Sequence, residues 1–475
     1  PNIDTHNTNS ESSQTSQESK ERRNNINYNN LKSIAQAALQ HSKSSRRSPQ
    51  KNEMSSEKFS WNHQEKQDVE DILNKAKNAM EHLSEKQKKK NQQDIDQQQN
   101  SYPEGILLNA TQMAQQHQYR LEEHNVTTDD GYVLTVFRIQ PKQQDVEQRP
   151  VVFLMHGVLG SAIDWFLRGP KESLAYSLAD AGYDVWLGNA RGNKYSKRHV
   201  SKSPALNDFW QFSTDEIALH DLPAMIDYVL EASNQLKLNY VGHSSGNTAF
   251  FALAATHPEY NDKINMMYAL SPMVYMTNVR SPLIRMIAPT NRLHQQFQEQ
   301  VGYGSFAPGK QLTRTLGGAL LEQETGSKKV ASHISFVMTG FHRDDESPNT
   351  IQKVMLYQPA GTSSKVIKQY SQGVASQEFQ RFDYGPTTNK KVYGSEQPPK
   401  YDVQNVQAPV ALYYSEEDWL AHPKDVERLK NELPNVRETY KVPNKHFSNM
   451  DFMFSSKAPH IVYKQLIESM QNNQE

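Results

Sequence analysis

An apolar run passes into a glycine-bounded turn at Leu238-Asn239-Tyr240-Val241-Gly242-His243-Ser244-Ser245-Gly246, and a helix-compatible run follows from 247 to 256. Strand, sharp turn and helix in this order are the context in which the pattern G-x-S-x-G places a serine nucleophile. Glycines two residues before and after the serine are needed because a Cβ atom there would collide with the neighbouring strand and helix. Without these flanks, the pentapeptide would fit an ordinary tight turn equally well. The stretch therefore predicts Ser244 as a nucleophile.

Other short apolar runs bounded by Gly or Pro repeat along the chain after residue 103. They are Val151–Met155, Tyr183–Leu187, Leu238–Val241, Met266–Leu270 and Pro409–Tyr414. Runs of this length suit strands that are buried on both faces of a parallel sheet. Helical patterns lie between them, and the clearest begins with the capping-box pair Ser213 and Glu216. This alternation predicts an α/β fold with a mostly parallel central sheet.

Two regions depart from this alternation. Residues from about 273 to 385 have helical patches, glycine turns and no obvious strand, so we expect a helical cap inserted over the end of the sheet. Residues 1–103 hold only three aromatics before Tyr102 (Tyr28, Phe59, Trp61) and are rich in Gln, Asn, Ser and Lys. Such a segment buries too little apolar surface to offset its chain entropy, so we expect it to be mostly disordered. Two stretches with helical spacing within it allow transient helices or helices that fold on a protein partner. The folded domain would then span 104–475.

The overall composition excludes several classes of protein. The 475 residues carry 52 Lys+Arg and 53 Asp+Glu, so nothing favours nucleic acid. No apolar stretch approaches the roughly 20 residues that span a bilayer. The absence of cysteine excludes disulfides, thiolate zinc sites and a Cys nucleophile. The histidines outside the motifs show no metal-ligand spacing, so we expect neither a metal nor a cofactor. A first residue other than Met suggests a processed chain or a fragment.

Two further motifs suit the chemistry of a serine nucleophile. The loop His156-Gly157-Val158-Leu159-Gly160 follows the first buried strand, where a second oxyanion donor belongs. The two donors would be the backbone N–H groups of Val158 and Ser245. Asp418 lies in the loop after the run Pro409–Tyr414, where the acid of a Ser, acid, His order is expected. The alternatives are a plain strand-to-helix loop at His156 and a solvated acidic turn at Asp418.

Five motifs in order carry a resemblance to a known family: Phe153–Gly157, Tyr183–Asn193, Asp221–Asp227, Gly242–Gly246 and Asp418–Ala421. Together they resemble the acid lipases, the α/β-hydrolases that include gastric and lysosomal acid lipases. The similarity runs from about Leu108 to about Met470. It implies Ser244 as nucleophile, Asp418 as triad acid, Val158 and Ser245 as oxyanion donors, and residues 273–385 as a cap over a lipid site.

The triad histidine is where this sequence departs from the family pattern. The family has His immediately before an apolar-Asp-Phe step, and here Asn449 precedes Met450-Asp451-Phe452. An asparagine has no basic nitrogen near neutral pH, so it can neither take the serine proton nor return it. His446 stands three residues upstream and is the alternative base.

The resemblance and this departure leave two hypotheses about function. The first is a lipase acting on neutral lipid esters, at a lipid–water interface, with turnover impaired by Asn449. The second is a catalytically silent lipid-binding or interaction protein. The sequons at Asn109 and Asn125 and the family resemblance favour secretion, with the lysosome as the alternative.

Overall fold

The computed structural model describes residues 108–140, 149–281, 284, 304–306 and 348–473. The extension predicted to be disordered, residues 1–103, lies outside the described residues. Of the expected cap, only 273–281, 284, 304–306 and 348–385 are described.

A mixed sheet forms the centre of the described part of the chain. Its nine strands have the order β1-β2-β4-β3-β6-β7-β10-β11, with β5 paired to β2. They are β1 (Arg120–Thr127), β2 (Tyr132–Gln140), β3 (Val151–Met155), β4 (Asp184–Gly188), β5 (Arg198–His199), β6 (Leu238–His243), β7 (Ile264–Leu270), β10 (Val410–Tyr414) and β11 (Val436–Lys441). From β4 to β11 every pair is parallel, whereas β1, β2 and β5 pair antiparallel. The expected α/β fold with a mostly parallel sheet is confirmed.

Helices cover both faces of this sheet. They are α1 (Ala110–Gln116), α2 (Leu174–Asp180), α3 (Thr214–Glu216), α4 (Leu222–Ser233), α5 (Ser245–Thr256), α6 (Pro348–Tyr357), α7 (Ser364–Ser376), α8 (Pro386–Tyr393), α9 (Pro423–Glu432), α10 (Asp451–Phe454) and α11 (Lys464–Asn472). Strands β3, β4 and β6 are buried along their whole length. Burial on both faces explains why β3 is apolar throughout and why β4 and β6 are mostly apolar rather than alternating.

The helix predicted from Ser213 has the expected cap but is not regular. The backbone N–H of Ser213 donates to Glu216 at 2.6 Å, and the Ser213 hydroxyl accepts from the backbone N–H of Asp215 at 3.2 Å. A π-helical turn, Ile217–Asp221, then separates α3 from α4. The buried Asp221 at its end pairs with Arg191, whose Nε lies 2.7 Å from Oδ1. This ion pair connects the π-helical turn to Arg191 in the loop after β4.

The described part of the cap region contains α6, α7 and a short antiparallel ribbon of β8 (Ser305–Phe306) and β9 (Thr362–Ser363). The ribbon differs from the expectation of no strand there. Strands of two residues are too short to produce an apolar run or an alternation in the sequence.

The carboxyl ends of β3, β6, β7 and β10 lie side by side, because these strands are parallel neighbours. The loops that leave them begin at His156, Ser244, Ser271 and Ser415. Ligand and catalytic sites of open α/β sheets lie at this edge.

No helix among the described residues has the length and apolar character that a membrane span requires.

Candidate active site

Ser244 occupies the turn between β6 and α5 in a strained backbone conformation, with φ 52° and ψ −113°. Its N–H donates to the carbonyl of Leu270 at 3.0 Å, which ties the turn to β7. A Cβ atom on Gly246 would lie 2.4 Å from the Met155 carbonyl oxygen. A Cβ atom on Gly242 would lie 2.2 Å from Oδ1 of Asn247. A Cβ atom at either glycine would therefore clash with neighbouring atoms. The turn has the form of a nucleophile elbow.

Residues of the cap region cover Ser244, which is 1% exposed. Its Oγ lies 4.0 Å from Sδ of Met273, the first residue of that region. Tyr370 on α7 lies beside Ser245 and Thr248 at the start of α5, whose side chains oppose the rise in the Tyr370 pKa that burial causes. Helix α7 of the cap region therefore packs directly against α5, the helix that follows the elbow.

The loop that begins at His156 lies against the elbow. A Cβ atom on Gly157 would lie 2.9 Å from Nδ1 of His243 and 3.1 Å from Cβ of Ser244, so glycine permits this close approach. Val158 is half-buried, and Leu159 has a positive φ of 61°. The Leu159 carbonyl accepts from the N–H of Ala360 at 2.6 Å, a contact from the cap region. The structure thus brings the Val158 loop to the serine whose oxyanion it was expected to serve.

Two buried histidines hold the loops around the serine. His156 donates from Nδ1 to the carbonyl of Gly157 at 2.8 Å and accepts the N–H of Ala190 on Nε2 at 3.1 Å. His243 donates from Nε2 to the carbonyl of Asn449 at 2.8 Å. Burial lowers the pKa of each histidine to about 4, so both are neutral near pH 7. Sequence reasoning gave neither a role, although each lies inside a motif.

Asp418 is fully buried at the carboxyl edge of β10. Its Oδ1 accepts from the backbone N–H groups of Leu420 at 2.8 Å and Ala421 at 3.0 Å. Its Oδ2 accepts from the Ser271 hydroxyl at 2.6 Å. Burial raises the pKa of Asp418, and these hydrogen bonds oppose the rise because they favour the carboxylate.

Asn449, at the position expected for the triad histidine, and His446, the alternative base, lie in different surroundings. Asn449 is buried, and its Nδ2 donates to Oγ of Ser271 at 2.6 Å, so it joins the network of Asp418 through one hydroxyl. His446 has a side chain that is 57% exposed, and its Nδ1 lies 2.8 Å from Oε2 of Glu417. Asn449 therefore lies in the network of the acid, and His446 pairs with a different carboxylate.

One cluster among the described residues has the composition of a metal site. Ligand atoms of Asp129, Asp130 and His220 lie within 4.8 Å of one another. Both oxygens of Asp130 accept from the guanidinium of Arg191, at 2.6 and 2.8 Å. A cation already neutralises this carboxylate, so the cluster is explained by its ion pairs.

Comparison with known proteins agrees with the observed fold. Residues 150–452 match the model of the alpha/beta hydrolase fold family, and residues 110–169 match a partial alpha/beta-hydrolase lipase region. Lipase 3 of Drosophila melanogaster is 40% identical over 356 residues, which are 74% of this chain and 90% of that protein. Gastric triacylglycerol lipase of Bos taurus is 37% identical over 368 residues, 76% of this chain and 91% of that protein. The human gastric triacylglycerol lipase is 35% identical over 367 residues, 76% of this chain and 90% of that protein.

Proposed function

Because the chain belongs to the acid lipase family of α/β-hydrolases, we propose that it binds neutral lipid esters and hydrolyses them only slowly. The substrate class comes from the relatives, two of which are named triacylglycerol lipases. The low turnover comes from the residue at position 449.

The chemistry that the site supports is acyl transfer through Ser244. Its hydroxyl would attack the ester carbonyl, and the tetrahedral oxyanion would bind the backbone N–H groups of Val158 and Ser245. Water would then release the acyl group from the serine. Each half of this reaction needs a base that takes a proton and returns it to the leaving oxygen.

The observation that carries the proposal is the amide of Asn449 in the network of Asp418. An amide cannot accept the proton of Ser244 near neutral pH. In a serine triad, loss of the histidine alone costs on the order of 10⁶ in turnover, while the remaining site keeps roughly 10³–10⁴ over the uncatalysed rate. We therefore expect slow hydrolysis rather than none.

The same observation supports a second candidate function, a silent lipid-binding or interaction protein that uses the covered site and residues 1–103. We propose the division into 1–103 and 104–475, with a cap at about 273–385, for either function. We also propose that the protein is secreted. Asn109 and Asn125, the acceptors of the two sequons, are exposed on the folded domain. A mobility shift on treatment with an endoglycosidase would test this.

The decisive experiment is an ester-hydrolysis assay of the chain beside its Asn449→His variant, with Asn472→His on the exposed face of α11 as the control. We expect Asn449→His to raise kcat at least about a hundredfold, since it supplies the missing base. The control should leave kcat unchanged. An unaltered chain that already turns over as fast as Asn449→His would disprove the proposal, and the silent protein would show ester binding with no detectable turnover.

A further inference from the structure

Ser271 lies where two parts of the site meet. It follows the last residue of β7, and its N–H donates at 2.8 Å to the carbonyl of Tyr413, the penultimate residue of β10. The parallel register pairs Leu270 with Tyr413, so Ser271 is held beside the loop that carries Asp418. Its φ of 50° directs the chain away from the strand at this point. The Ser271 side chain is fully buried.

The hydroxyl of Ser271 has one hydrogen to donate and two lone pairs to accept. The hydrogen goes to Oδ2 of Asp418, and one lone pair accepts the amide of Asn449, each at 2.6 Å. The two hydrogen bonds therefore run in one direction: Asn449 donates to Ser271, and Ser271 donates to Asp418. The other carboxylate oxygen is already bonded to two backbone N–H groups. These three hydrogen bonds thus favour the charged form of Asp418 and oppose the rise in its pKa that burial causes, without any imidazole.

In a working serine triad the carboxylate contacts the histidine directly, fixes its tautomer and stabilises the imidazolium that forms. A ring nitrogen at position 449 would replace the amide nitrogen that now contacts Ser271. That nitrogen would therefore contact the neutral hydroxyl of Ser271, and the carboxylate of Asp418 would lie beyond this hydroxyl.

We propose that Ser271 is a positioning residue that separates Asp418 from position 449, so that this site differs from an active triad at two positions rather than one. This inference rests on the proposed function, because it assumes that position 449 faces the serine. Loss of the acid alone costs about 3 × 10⁴ in kcat in a well-studied triad, so an acid reached only through a hydroxyl should support part of the rate.

The test compares four full-length variants: Asn449→His, Asn449→His with Ser271→Ala, Asn449→His with Ser415→Ala, and Ser271→Ala alone. Ser415 is the matched control, since its buried hydroxyl lies in the loop of Asp418 and has no hydrogen-bond partner among the described residues. The substrate is a short-chain p-nitrophenyl ester, and kcat and KM are measured across pH.

We expect Asn449→His/Ser271→Ala to exceed Asn449→His by about tenfold or more in kcat, with KM unchanged, because the acid then contacts the imidazole directly. Its pH profile should shift to higher pH, since an adjacent carboxylate raises the pKa of a histidine. Proton NMR should show a far-downfield imidazole N–H in that double variant only. The Ser415 double variant should match Asn449→His, and Ser271→Ala alone should stay slow.

Equal kcat for Asn449→His and the Ser271 double variant would overturn the role of Ser271 while leaving the proposed function intact. An equal gain from Ser415→Ala would also overturn it, because loosening of the loop would explain the result. A double variant without the downfield proton would refute the direct contact whatever its rate. A fast unaltered chain would disprove the proposed function instead.

Discussion

Nδ1 of His446 lies 2.8 Å from Oε2 of Glu417, one residue before the buried Asp418. The two neighbouring acids thus have different partners. Asp418 points inward to Ser271 and two backbone N–H groups, and Glu417 pairs with a histidine that is more than half exposed. A base in a triad must contact the nucleophile and be oriented by the acid. His446 receives its orientation from Glu417 instead.

Replacement of His446 by alanine should therefore leave ester hydrolysis unchanged, both in the unaltered chain and in Asn449→His. The contact with Glu417 is exposed, so its loss should change the unfolding free energy by less than about 1 kcal/mol. Steady-state kinetics on both backgrounds measure the effect, with the exposed His460→Ala as the control. Loss of activity on His446→Ala, in a chain that is already fast, would assign the triad to Ser244, Asp418 and His446.

Ser244→Ala should abolish the activity gained by Asn449→His, because Ser244 holds the strained position between β6 and α5, whereas its neighbour Ser245 already lies in the helix. Covalent labelling by an organophosphonate should be weak in the unaltered chain, stronger in Asn449→His and absent after Ser244→Ala, since that attack also needs a deprotonated serine. Intact-mass spectrometry follows the labelling. Ser177→Ala, on α2, serves as the control and should label like its parent. Labelling that survives Ser244→Ala would place the nucleophile elsewhere.

Gly246→Ala should destabilise the fold by more than about 3 kcal/mol, because the new Cβ would lie 2.4 Å from a backbone carbonyl that cannot move without distorting β3. The matched substitution is Gly373→Ala in α7, where the nearest atom to a Cβ is 3.6 Å away on Met276. There we expect no loss, or a gain of about 0.5–1 kcal/mol from higher helix propensity. Urea denaturation of both variants measures the difference. Equal stabilities would contradict the close packing at the elbow.

The sequence predicts the strand, turn and helix around Ser244 because the evidence for them is local: apolar runs, glycines at fixed spacing and a helical pattern. The bridge between Asp418 and Asn449 has no local signal. Its two hydrogen bonds join Ser271 to residues 147 and 178 positions away, through the register of β7 and β10. Strand β11 lacks an apolar run because its residues alternate between half-buried and exposed at the edge of the sheet.

A buried acid beside the candidate oxyanion loop predicts how stability depends on pH. Asp164 accepts on Oδ2 from the N–H of Ser161 at 3.1 Å and from Nε2 of Gln358 at 2.9 Å. Burial raises the pKa of Asp164 from 3.8 to about 7, and these hydrogen bonds and the charge of Lys194 oppose the rise only in part. The folded chain therefore keeps a proton that the unfolded chain releases near pH 4.

Between about pH 4 and pH 7 the unfolding free energy contributed by Asp164 should fall as pH rises, by at most about 1.4 kcal/mol per pH unit, and then stay constant. Buried His156 and His243 contribute the opposite slope from about pH 4 to pH 6.5, since their folded pKa is lowered. The pH dependence of the unfolding free energy of one protein therefore does not isolate the contribution of Asp164. The difference in unfolding free energy between two proteins does. Asp164→Asn does not titrate, so its stability relative to the parent should increase from pH 4 to pH 7. Urea unfolding of both proteins at each pH measures this difference, and parallel curves would show that Asp164 does not hold the proton.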